Sequence, residues 1–98
     1  MEIKKSGNSM TICIPGKLDA NTSPELERML GEQMGDDVNR ITMDLDGCIY
    51  VSSAGLRVIL SLEKKMSKVG GSMVIINVPP LVMEVFTETG LTDILTIQ

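Results

Sequence analysis

The stretch from Arg40 to Lys68, RITMDLDGCIYVSSAGLRVILSLEKKMSK, changes its hydrophobic period partway along, and that change restricts the fold. Between Arg40 and Asp46, Ile41, Met43 and Leu45 alternate with Thr42, Asp44 and Asp46, the period of two that belongs to a strand with one buried face. From Ser53 onward Leu56, Ile59, Leu60 and Met66 recur at helical spacing, and Val58, Leu62 and Val69 widen their stripe. A helix with so broad an apolar face must be largely buried. Gly70-Gly71 ends it. Ser72 to Val78, SMVIINV, follows as a nearly continuous apolar run, the composition of an interior parallel strand. Strand, helix and strand in this order make a crossover, so the chain is expected to build a sheet with helices laid on one face.

The flanking segments extend the same scheme. Met1 to Lys5 is expected to form a strand, Ser6-Gly7-Asn8-Ser9 a hairpin turn, and Ser9 to Ile14 an alternating strand with Met10, Ile12 and Ile14 inward. Pro15-Gly16 breaks that strand, and Lys17 to Asn21 reads as a loop. Ser23 is positioned to cap a first helix, with Pro24 in its first turn and Leu26, Met29, Leu30 and Met34 on one stripe. Gly35-Asp36-Asp37 stops it. Ser53 is positioned to cap the second helix. Pro79-Pro80 opens a third carrying Val82, Val85 and Phe86, Gly90 closes it, and Asp93 to Ile97 is expected as a last short strand. The order is β-β-α-β-α-β-α-β, a single α/β domain over residues 1–98 with a mixed sheet and its helices mainly on one face.

Composition excludes several kinds of chemistry. Histidine is absent, which removes Ser-His and Cys-His catalysis and most transition-metal sites. Cys13 and Cys48 are not spaced as a redox or zinc pair, and two thiols without a secretion signal imply structural cysteines in a reducing cytoplasm. The net charge is -4, without a basic stripe, and Tyr50 and Phe86 are the only aromatic residues, so nucleic-acid binding is not expected. No apolar run approaches the roughly 20 residues that would cross a bilayer. Asp44 and Asp46 lie two apart on an alternating strand, a spacing a solvated sheet face produces without any metal. No cofactor or metal is expected.

The serine pair before the second helix is where chemistry can reside. Ser53-Ala54-Gly55 matches half of a G-x-S-x-G elbow, but Val51 occupies the place of the first glycine and no histidine exists to take the proton. A phosphate-cradling loop fails as well, because no G-K-[ST] is present and Gly70-Gly71 ends a helix instead of opening one. Hydrolase and nucleotide-binding readings both lack their machinery, and no enzyme is expected. A hydroxyl at a helix start stands beside unpaired backbone N–H groups and the positive dipole end, a setting that accepts an added phosphate. The plainer alternative is that Ser53 only caps the helix, worth about 1 kcal/mol, with Ser52 a solvated turn residue.

The run MDLDGCIYVSSAGLRVIL resembles the signature of STAS domains of the anti-sigma factor antagonist family, in which a strand and an aromatic precede a short D-S-[SAT]-G-L segment. Upstream, PGKLDANTSPELE is similar to the family's G-x-L-D loop and first helix. GGSMVIINVPPLVMEVFTETGLTDIL is similar to its closing strand and third helix. The resemblance covers almost the whole chain in order.

It implies a cytoplasmic regulatory phosphoprotein of transcription, acting by protein docking. Its unphosphorylated form would bind an anti-sigma factor that is also an ATP-dependent serine kinase, and so free a sigma factor. Phosphorylation would reverse the exchange of partners, and a PP2C-type phosphatase would reset it. Carried over by position, the phosphoacceptor falls on Ser53, with Ser52 the alternative because it replaces the usual acidic residue. Asp19 matches the loop aspartate and is expected near the acceptor. Gly55 matches the glycine of the first helical turn, where a side chain would crowd the kinase-docking surface. Asp19, Ser52, Ser53, Ala54, Gly55 and Arg57 together make the expected partner-binding site. The alternative use of the fold is an accessory subunit of an ABC-type membrane transport complex, docking without a phosphoswitch and without inserting into the membrane.

Overall fold

The computed structural model describes residues 1–98. Four strands, β1 (Glu2–Ser6), β2 (Ser9–Cys13), β4 (Arg40–Asp44) and β6 (Ser72–Ile76), form one sheet in the order β1-β2-β4-β6. The hairpin pair β1-β2 is antiparallel, and β2-β4 and β4-β6 are parallel. Two crossover helices, α1 (Ser23–Gln33) and α2 (Ser53–Lys68), and a third helix, α3 (Pro80–Glu88), complete the mixed α/β domain.

The period-two pattern decides which face the helices cover. Met10 and Ile12 of β2 align with Ile41 and Met43 of β4 and with Met73 and Ile75 of β6, and Ile14 and Leu45 follow just past the strand ends. All of these are buried in one core with Val58, Ile59, Leu62 and Met66 of α2 and Phe86 of α3. Fully burying each such side chain contributes about 1.5–3 kcal/mol, so this single layer dominates the stability. The opposite face carries Thr11, Cys13, Thr42, Asp44, Val74 and Ile76, all half-buried. Val74 and Ile76 do not join the core. The helices therefore lie on one face, as the crossover pattern requires.

Two further strands lie outside the expected scheme. Lys17 to Asn21, read as a loop, begins inside β3 (Gly16–Leu18), and β5 (Cys48–Val51) stands where only a connection was expected. They pair in parallel as a small second sheet. Pro15 ends the β2 run, Gly16 and Gly47 both take φ 79°, and Gly16 N–H donates to Gly47 C=O at 2.9 Å. That left-handed conformation suits glycine, and through it the chain steps from the main sheet into the small one on both sides at once.

Three smaller differences concern ends. The N-cap of α1 is Thr22 and that of α2 is Ser52, so Ser23 and Ser53 are first helical residues instead of caps. Val69 leaves the α2 stripe and is 52% exposed, because the helix ends there. The closing strand is a single bridge, Ile75 to Ile97, after a short 3-10 turn at Leu91–Asp93. No helix is long and apolar enough to cross a membrane.

Two glycines in helices provide opposite tests. A Cβ on Gly55 would stand 2.5 Å from Leu18 O, whereas one on Gly31 would meet nothing within 4 Å. Gly55→Ala must displace backbone and is expected to cost about 2 kcal/mol or more, a fall of roughly 8 °C or more in Tm. Gly31→Ala should stabilise by about 0.5–1 kcal/mol. Thermal denaturation of the two variants checks this, and equal shifts would contradict the packing described.

A second test uses pH. Asp44 Oδ1 accepts from Asn77 Nδ2 at 3.0 Å and from Asp46 N–H at 2.9 Å. These bonds favour the carboxylate, Asn77 first, and hold Asp44 below its ordinary pKa. The stability they contribute is present above the ordinary carboxylate pKa, about 3.9, and is lost as pH falls through the lowered value. Asn77 also sits at φ 55°. Asn77→Ala should therefore destabilise by about 1–2 kcal/mol at pH 7. In urea titrations the gap should narrow toward pH 3 without closing, since the backbone strain does not titrate.

Candidate functional site

The site is assembled where the small sheet delivers the chain into α2. Leu18 pairs with Val51 in the parallel ladder, and Ser52 N–H donates to Leu18 C=O at 2.9 Å. This bond carries the loop after β3, starting at Asp19, to the mouth of α2. The helix can come this close because Gly55 has no side chain. Gly55 is buried, and the Cβ it lacks would point at Leu18 O, at the Leu18 side chain and at Val51. The role expected for it on a docking surface is thus corrected: a side chain there would crowd the interior and unseat the helix.

The two serines are physically distinct. Ser52 is the cap residue, extended at φ −91°, ψ 177°, yet its side chain makes no capping hydrogen bond. Its Oγ is shut from solvent and has no partner. Ser53, the next residue, is exposed. The first helical N–H bond is that of Leu56 to Ser52 C=O at 2.9 Å, so the amides before it carry the unpaired positive end of α2. No acidic residue stands in that first turn, while Lys65 and Lys68 occupy the last. Ala54 is half-buried and Arg57 exposed, with Arg57 Nε donating weakly to Ser53 C=O at 3.5 Å.

Asp19 is committed to its own loop. Its Oδ1 accepts from the amides of Asn21 at 2.9 Å and Thr22 at 3.1 Å. Thr22 Oγ1 accepts from Asp19 N–H at 2.9 Å and donates to Lys17 C=O at 2.8 Å. The aspartate thus shapes the turn into α1, and through that turn the wall opposite Ala54 and Arg57. That wall contains residues with no local sequence signal. Ala20, Ser23, Pro24 and Glu27 face Ala54 and Arg57 across a groove of about 210 Å³. It adjoins a larger one, about 570 Å³, between α1 and α2, with Leu30, Met34, Val58 and Leu62 among its lining and Glu27, Arg57 and Lys65 on it as charged groups. Glu27 and Ser23 read only as helix-face and cap positions, because their relation to α2 is tertiary.

No cluster of three or more acidic, histidine or cysteine side chains could hold a metal ion. Cys48, at the start of β5, is buried, and that burial pushes its thiol up, so it is held protonated and unreactive. What the mouth of α2 offers is an exposed serine at a positive helix end, with an exposed arginine one turn on.

Known proteins resemble the whole chain. BtrV of Bordetella bronchiseptica is 32% identical over 94 residues, spanning 96% of this chain and 81% of its own. The anti-sigma-B factor antagonist of Bacillus subtilis is 29% identical over 100 residues, spanning 100% and 89%. Among solved structures, the Bacillus cell fate determinant SpoIIAA superposes with a TM-score of 0.78 in its unphosphorylated form, at 15% identity over 99% of this chain and 86% of that one. Its phosphorylated form gives the same TM-score at 17% identity, covering 99% and 89%. The STAS domain model matches residues 1–98. With that match over the whole chain, and the fold in agreement with the solved structures, the chain belongs to the STAS domain family.

Proposed function

We propose that this domain is an anti-sigma factor antagonist: unmodified, it binds a cytoplasmic anti-sigma factor with serine kinase activity, and phosphorylation of Ser53 ends that binding. It acts by docking, not by catalysis. The observation that carries the reading is the contrast at the start of α2, where Ser53 is an exposed residue and the Ser52 hydroxyl is shut in. A kinase can reach only the first without unfolding the cap. The names of its relatives, antagonists of anti-sigma factors, support the partner class. The two solved forms of SpoIIAA support a phosphorylated state within this fold.

The physical logic is a separation of effects. The kinase transfers the γ-phosphoryl group of ATP to Ser53 Oγ, the hydroxyl proton leaves, and ADP departs. The new group brings roughly −1.5 to −2 charges and three acceptor oxygens. Within the domain these meet the positive end of α2, so the fold tolerates them. At a packed interface they must be desolvated against whatever the partner presents. A penalty of about 2.8 kcal/mol there lowers affinity a hundredfold. A PP2C-type phosphatase restores the unmodified surface.

Pull-downs from the source cell with wild-type, Ser53→Ala and Ser53→Asp baits should recover the same kinase with the first two and much less with the third. Incubation with that kinase and ATP, followed by mass spectrometry, should place phosphate on Ser53 in the wild type and in Ser52→Ala. Phosphate confined to other residues, or a phosphorylated form that binds as tightly as the unmodified one, would refute the assignment.

A further inference from the structure

We propose that Arg57 receives the phosphate on Ser53, folding over it as an intramolecular clasp, and that Glu27 on α1 competes for the same guanidinium and limits how firmly the clasp closes. The inference rests on Ser53 being the acceptor and adds how the modified state is held within the domain.

Arg57 lies four residues after Ser53 in α2, one turn along the same face. Its Nε already reaches back to Ser53 C=O at 3.5 Å, a bond too long to hold the side chain but enough to show the direction it takes. The other cations that form ion pairs are engaged elsewhere, Arg28 with Glu25 and Glu32, and Lys5 with Asp37. Arg57 has no carboxylate within ion-pair range, although Glu27 lines both grooves that Arg57 lines. Of the remaining charges nearby, Asp19 Oδ1 is taken by two amides, and Lys65 stands farther along the larger groove.

The groove that Arg57 lines has a second polar residue on its α1 side. Ser23 is 3% exposed and its Oγ has no hydrogen-bond partner, yet the residue lines the groove closed by Ala54 and Arg57. The planar guanidinium binds phosphate through two parallel N–H bonds. A dianion on the adjacent turn then outcompetes the single carboxylate across the groove.

The test installs phosphoserine at position 53 by genetic encoding, so it does not depend on any kinase. Phosphorus NMR then titrates the phosphate, whose second pKa is ordinarily about 6. With Arg57 present, the midpoint should lie about 0.3–0.7 pH unit below that of Arg57→Gln, the scale of one exposed ion pair. Arg57→Lys should recover part of the shift, and Glu27→Gln should lower the midpoint further than wild type. Circular dichroism confirms that each variant is folded. Identical titrations for wild type and Arg57→Gln would overturn the clasp while leaving Ser53 as acceptor intact. Failure of kinase labelling at Ser53 in the unmodified protein would instead strike the underlying reading.

Discussion

One backbone contact organises the functional end of this domain: the seat of α2 on β3, made by the bond from Ser52 N–H to Leu18 C=O and by the lack of a side chain at Gly55. A methyl group there would stand 2.5 Å from a carbonyl oxygen, well inside contact distance, so the seat has no slack. Because it is rigid, the helix mouth is held at a defined depth against the loop after β3. Ser52 is drawn down into that contact and Ser53 is left at the surface. The difference between two adjacent, chemically identical side chains is thus set by a neighbour more than thirty residues away in sequence.

The electrostatics follow from the same seat. An exposed salt bridge contributes little, and the ion pairs on α1 and between Lys5 and Asp37 are of that kind. The mouth of α2 differs in that its positive end has no acid in the first turn and a guanidinium one turn on. These are the groups that the phosphate proposed on Ser53 would meet. The stability of the domain rests instead on a single aliphatic layer with one buried phenyl ring, Phe86.

Much of this was legible in the residues because periodicity reports burial directly. The alternating Ile41, Met43 and Leu45 are buried, as are Ile59 and Met66 of the α2 stripe with Val58 and Leu62 beside them, while Leu56 and Leu60 are half-buried and pack against that set. The small sheet was not legible. In β5 the burial runs buried, exposed, exposed, buried, so Cys48 and Val51 are inside while Ile49 and Tyr50 are out, and no period of two is present to read. The caps were displaced by one residue because a Thr-Ser or Ser-Ser pair offers two chemically equivalent candidates. Backbone angles, which tertiary contacts decide, choose between them. The reach of the resemblance was correct for family and order, but it put Gly55 on the wrong side of its own helix. A glycine's role depends on where its missing side chain would point, and sequence does not carry that direction.

The division into two sheets bears on how such a domain diversifies. The four-stranded ladder and its aliphatic layer hold the molecule together, while β3 and β5 leave it at paired glycine turns, stay rooted in the core through Leu18, Cys48 and Val51, and carry the helix mouth at their far end. Residues on this appendage, such as Ile49, Tyr50 and the loop from Ala20, touch solvent more than core. They are free to vary in shape and charge at small thermodynamic cost, so new partners can be acquired at one end while the chassis behind it is left untouched.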